Sequence, residues 1–134
     1  MKPMNRLLRD VMTRGVVSVP MDLSIREVAE KMTQQNVSAV TVTNHSGEIM
    51  GLISEMDVLK AVMDRSILNS AAESIMSSNI QSVGPSITLD NAARIMMNKG
   101  IHRLVVLSEQ GVGASDRPVG ILSSGDIVRE MIKR

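Results

Sequence analysis

The second half of this chain restates the first, and that constrains the fold more than any other feature of the sequence. Val11-Met12-Thr13 lies on Ile75-Met76-Ser77, and the match continues without a gap to about Thr43 and Leu107. Identical residues fall at Met12 and Met76, Ser18 and Ser82, Val19 and Val83, Ala29 and Ala93, Met32 and Met96, and Val42 and Val106, with aliphatic exchanges at most other apolar positions. After a loop the match resumes with Gly51-Leu52-Ile53-Ser54-Glu55-Met56-Asp57 on Gly120-Ile121-Leu122-Ser123-Ser124-Gly125-Asp126, displaced by a five-residue insertion in the second copy. A segment repeated in this way is one supersecondary unit used twice.

Each copy carries one order of signals. Residues 16–19 form a short β-type run, with 80–83 as its counterpart. Ser24 followed three residues later by Glu27 predicts a capping box, in which each side chain satisfies the other's free backbone N–H. Ile25, Val28, Ala29 and Met32 then make a helical stripe, which Leu89, Ala92, Ala93 and Met96 repeat, with Gly100 as a stop. Two strands follow, 39–43 and 49–53, joined by the turn-like Asn44-His45-Ser46-Gly47-Glu48; in the second copy they fall at 104–107 and 119–122. A last helix covers about 55–63, and its counterpart runs from about 125 to the C-terminus. The expected fold class is therefore α/β: two β-α-β-β-α repeats related by a pseudo-two-fold axis, with small mixed sheets packed against each other and helices outside. The repeats are expected at 7–65 and 73–134, with 66–72 as a linker and 108–118 as an inserted mobile loop.

Composition removes several functions. The 134 residues allow one ordinary domain or two small repeats sharing a core, not a multidomain enzyme. Cysteine is absent, which excludes disulfides, thiolate nucleophiles and Cys-based metal sites. A net charge of +1 and the lack of any Phe, Tyr or Trp remove both the electrostatic footprint and the stacking platforms of a nucleic-acid binder. No apolar run is long enough to span a bilayer, and the opening residues lack a signal-peptide core, so a cytoplasmic protein without membrane contact is expected. Twelve methionines stand in for the aromatics as adaptable core filler.

Two patterns can carry chemistry. The first is Gly-hydrophobic-hydrophobic-Ser-x-x-Asp, found twice where a strand hands over to a helix. Helix N-terminal N–H groups favour an anion, the Ser54 or Ser123 hydroxyl can donate to phosphate, and the Asp57 or Asp126 carboxylate can accept both hydroxyls of a ribose. The same Ser-x-x-acid spacing is also an ordinary helix start, so capping stays open as the alternative. The second is His102-Arg103, whose counterpart in the first copy is the uncharged Ser38-Ala39. A guanidinium beside an imidazole suits a phosphate chain, though a solvated Arg beside a half-buried His is the plainer reading. His45 lies in a turn with no carboxylate or second histidine at ligand spacing, so no metal site is expected. No nucleophile elbow, zinc-protease motif or phosphate loop is present, and no catalytic residue is assigned.

In their order and duplication these motifs resemble a tandem pair of cystathionine-β-synthase (CBS) domains, the arrangement called a Bateman module. The likeness rests on Asp10-Val11-Met12-Thr13, the capped helix, the strand pair and Gly51 to Asp57, and again on Ser74-Ile75-Met76-Ser77, Gly100 to Val106 and Gly120 to Asp126. It implies a regulatory module that binds adenosine-containing ligands, AMP, ADP, ATP or S-adenosylmethionine, in clefts between the repeats, with no cofactor required. Adenine would lie against Ile80, Gln81, Ser82 and Val83, with Asp126 on the ribose and Ser123, His102 and Arg103 near phosphate. The corresponding weaker site would use Val16, Val17, Ser18, Ser54 and Asp57. The resemblance also implies a homodimer formed through helices. With no residues left over for an attached enzyme, the expected effector is a separate protein. The competing expectation, from a different class, is a structural or protein-interaction dimer whose pockets are vestigial.

Overall fold

The computed structural model describes residues 5–12, 16–108 and 117–133. Its elements follow the order β1 (Ser18–Pro20), α1 (Ile25–Gln35), β2 (Ala39–Thr43), β3 (Ile49–Ser54), α2 (Glu55–Met63), β4 (Ser82–Val83), α3 (Leu89–Lys99), β5 (Arg103–Leu107), β6 (Pro118–Ser123) and α4 (Ser124–Ile132). They make two three-stranded mixed sheets, β1-β2-β3 and β4-β5-β6. In each, the first pair is parallel and the second antiparallel. The connections dictate this: a helix carries the chain back between the parallel strands, and a short reversal suffices between the antiparallel ones. The α/β class and the β-α-β-β-α order are those expected.

The first strand of each copy is shorter than the apolar run that announces it. Val16, Val17, Ile80 and Gln81 precede the strands, and Val17 and Gln81 each contribute one carbonyl to the sheet, accepting from the N–H of Thr41 and Val105 at 3.0 Å. Helices begin and end as their sequences direct. Ser24 accepts from the Glu27 N–H at 3.1 Å, and α1 ends at Asn36 in the left-handed region with φ 53°, where α3 ends at Gly100 with φ 63°. The capping box expected at Ser24 is only half formed, because the Glu27 carboxylate accepts from the Ser24 hydroxyl at 3.0 Å instead of its backbone N–H.

Two compact units emerge, one of Val16–Ile80 and one of Met1–Gly15 with Gln81–Arg134. Each repeat has exchanged its leading segment with the other. Leu7 bridges Thr88, and the Leu8 N–H donates to the Ile87 carbonyl at 2.8 Å. The pseudo-equivalent bridge joins Ala71 to Ser24. Leu8 is wholly buried among Leu89, Ala92, Met96, Leu104 and Ile127. The segment expected to be a linker is docked as well: Leu68 and Ala72 are buried, and the Ala72 N–H donates to the Leu23 carbonyl at 2.7 Å. Burying such apolar side chains outweighs the entropy of ordering the segment. Of the inserted loop, residues 109–116 lie outside the described residues; Ser108 N–H bonds the Arg117 carbonyl at 2.9 Å across its base.

Candidate functional site

Strand register decides which candidate residues meet. In the second sheet, Leu104, Val106 and Leu122 pack with Leu89, Ala92 and Met96 of α3 and Ile127 of α4. Alternation along the strands turns Arg103 and Val105 to the opposite face. Ser82 is paired with Val105, and Ser123 with Arg103, so Ser82, Arg103 and Ser123 share that far face. β5 runs parallel to β4 and antiparallel to β6, which gathers the starts of β4 and β5 and the end of β6 at one end of the sheet. There α4 begins, and its Ser124 N–H donates to the His102 carbonyl at 2.9 Å. Gln81, Ser82, His102, Arg103, Ser123 and Asp126 thus converge. His102 is exposed, while Ser82, Arg103, Ser123 and Asp126 are half-buried.

Two candidates stand apart from this group. Val83 packs into the helical core, so only its backbone faces the others. Ile80 falls in the Val16–Ile80 unit and is not gathered with them in the second. The first sheet repeats the pattern with Ser18 opposite Thr41 and Ser54 opposite Ala39. Val17 leans on the helical core there, and Val16 is half-buried ahead of the strand.

Both Ser-x-x-Asp motifs form complete capping boxes. The Ser123 N–H donates to Asp126 Oδ2 at 2.8 Å, and the Asp126 N–H donates to Ser123 Oγ at 3.1 Å. Ser54 and Asp57 do the same at 2.8 and 3.3 Å. Capping and ligand binding are compatible, because a carboxylate offers about four acceptor positions and the cap uses one. Asp126 Oδ1 faces outward instead, toward Arg129 Nη2 at 2.6 Å, with 41% of the Asp126 side chain exposed. Arg129 is the residue that sequence reasoning passed over. Its guanidinium reaches over Gly125, where an added Cβ would lie 3.3 Å from Nη1 and 3.7 Å from Ser123 Oγ. The signal was present in the spacing Gly125-Asp126-x-x-Arg129, which sets a cation one turn above the carboxylate on the same helical face.

The glycine of the repeated motif has a packing role. A Cβ on Gly51 would stand 2.6 Å from Met76 Sδ, so the docked 70s segment demands glycine there. Among the described residues no group of three or more His, Cys, Asp or Glu side chains is placed to hold a metal, and no helix is long and apolar enough to cross a membrane.

Comparison with known proteins places this geometry. The model of the CBS domain matches the chain twice, over residues 8–64 and 72–133. An uncharacterized protein of Methanocaldococcus jannaschii is 28% identical over 125 residues, covering 93% of this chain and 42% of that protein. The chain therefore spans less than half the length of that relative. Among solved structures, the CBS domain pair of protein MJ0100 in complex with 5′-methylthioadenosine and S-adenosyl-L-methionine superposes with a TM-score of 0.81 at 24% identity, covering 96% of this chain and 97% of that one. CBSX2 in complex with AMP superposes with a TM-score of 0.78 at 22% identity, covering 94% and 96%.

Proposed function

The chain belongs to the CBS domain family, one copy in each half, and from that premise we propose that it is a regulatory module that binds an adenine nucleotide and passes the binding on to an effector protein. The site is the end of the second sheet where β4, β5, β6 and α4 meet. Asp126 takes the ribose diol, Ser82 and the backbone near Gln81 face the base, and Ser123, His102 and Arg103 meet the phosphates. The shared sheet face of Ser82, Arg103 and Ser123, with Asp126 bound to Ser123 at the start of α4, carries this reading. AMP, ADP and ATP fit the basic pair, and S-adenosylmethionine shares the adenosine part. That two structural neighbours hold adenosine-containing ligands supports the choice of ligand class. Signalling follows if the ligand binds one state of the module better than another, since only differential affinity shifts an equilibrium. In this reading the module performs no catalytic step, and turnover of ATP by pure protein would overturn it.

A homodimer through helices is part of the proposal. Met56, Leu59 and Met63 line one side of α2 at 55, 53 and 81% exposure, and Val128 and Ile132 repeat the pattern on α4. Such stripes at helical spacing fit a second copy of the same surface. The alternative, an interaction dimer with vestigial pockets, draws on the completed capping boxes, which give both Ser-Asp pairs a role without any ligand.

Thermal melting separates the two. A ligand at about a hundred times its dissociation constant stabilises the native state by about 2.7 kcal/mol, worth several degrees in a chain of this size. AMP or ATP is expected to raise the melting temperature, with the shift largely lost in Asp126→Ala and reduced less in Asp57→Ala. An unchanged melt with every adenosine ligand would favour the vestigial reading.

A further inference from the structure

Asp126 sets the second site a problem of like charges. A ribose diol needs the carboxylate as its acceptor, yet a phosphate carried on the same ribose is repelled by it. The structure holds a cation at that spot. Arg129 Nη2 donates to Asp126 Oδ1 at 2.6 Å, and with 68% of the Arg129 side chain and 41% of the Asp126 side chain exposed, water screens the pair and it opens at little cost. The guanidinium lies over the first turn of α4: Nη1 is 3.3 Å and Ser123 Oγ 3.7 Å from the point where a Cβ on Gly125 would stand. It therefore borders the serine assigned to phosphate. The first copy has no such arrangement. Met56 takes the place of Gly125 and Lys60 that of Arg129, and among the described residues Lys60 forms no ion pair with Asp57.

We infer that Arg129 is a specificity-determining residue of the second site: it neutralises Asp126 in the free protein and moves to the phosphate when a nucleotide binds, so that the site selects phosphorylated adenosine over the bare nucleoside. The inference rests on the proposed function and adds a residue to it. The two ligand classes meet different balances. A neutral nucleoside competes with Arg129 for Asp126 Oδ1 and offers the displaced guanidinium nothing in return. A nucleotide supplies a phosphate in its place, and the planar guanidinium matches phosphate oxygens with paired N–H groups. In the proposed site His102 and Arg103 serve the phosphate. Arg129 stands on the ribose acceptor as well, so removing it acts on the two ligand classes in different directions.

Calorimetric titration of AMP and of adenosine into the full chain separates these effects. The wild type is expected to bind AMP more tightly than adenosine. Arg129→Gln, which keeps a polar helix-forming side chain without the charge, is expected to weaken AMP by about tenfold, the scale of one hydrogen bond to a charged group, and to leave adenosine unchanged or tighter. Arg129→Met, equally uncharged, is the second variant should the first fold poorly. Arg129→Lys restores the charge and is expected to keep AMP within about threefold of wild type. A merely structural role would weaken both ligands alike. That result, an unaltered AMP affinity in the uncharged variants, or a loss in Arg129→Lys as large as theirs would overturn the inference while leaving the proposed function standing. So would a wild type that binds adenosine as tightly as AMP. If neither ligand binds the wild type, the proposed function fails and the inference with it.

Discussion

Asp126 carries two duties that substitution can separate. Its Oδ2 closes the cap on α4, and its Oδ1 faces outward to Arg129. At this third helical position asparagine keeps a side-chain oxygen that can accept from the Ser123 N–H, while alanine removes that half of the capping box. Asp126→Asn should thus melt close to wild type without ligand and still lose most of the AMP-induced shift; a full shift in that variant would reduce the carboxylate to a cap. At Gly51 the prediction concerns stability. Gly51→Ala drives a methyl into Met76 and should cost about 1–3 kcal/mol by chemical denaturation, the usual range for overpacking. A neutral result would show that the 70s segment yields freely.

At the level of elements, α2 and α4 hold the consequences. Leu59→Glu puts a charge in the exposed apolar stripe of α2, and sedimentation should then report a monomer with unchanged circular dichroism; a dimer that survives would move the interface elsewhere. On α4, Glu130 is nearly buried and pairs with Lys133 at 3.1 Å and with Arg6 of the exchanged N-terminal segment. The hydrogen bond from Lys133 leads in holding its carboxyl below the usual value of 4.5, and the charges of Lys133 and Arg6 assist against the burial that would raise it. A depressed folded-state pKa stabilises the fold above the unfolded value and loses that contribution as pH falls through the folded one. Melting temperature should therefore fall more steeply below pH 4.5 in the wild type than in Glu130→Gln; equal slopes would contradict the ion-pair role. Elements of this kind were legible where the pattern was local. The stripes Ile25-Val28-Met32 and Leu89-Ala92-Met96, the Ser-x-x-Asp caps and the strand pairs all followed from spacing. The lengths of β1 and β4 were not legible, because apolar runs at 16–17 and 80–81 report burial without saying how many residues find a hydrogen-bonding partner.

For the molecule as a whole, duplication was readable and the exchange of leading segments was not. Leu8 and Ala72 look like the start of one repeat and the end of a linker, and only a non-local partner shows that each completes the core of the copy it does not lead in sequence. Periodicity identifies the side of a segment that is buried and leaves open what buries it. The site was legible to a similar depth: Ser123, Asp126, His102 and Arg103 could be proposed from motif and asymmetry, whereas the turn of Val83 into the core and the cation at Arg129 depend on register and packing. Crystallising the protein with saturating AMP tests the central proposal most directly. Nucleotide is expected at the end of the second sheet, its ribose diol on Asp126 with the Ser123 cap intact and Arg129 drawn off Oδ1. A refined structure in which Asp126 keeps only Ser123 and Arg129, with nucleotide elsewhere or nowhere, would contradict it.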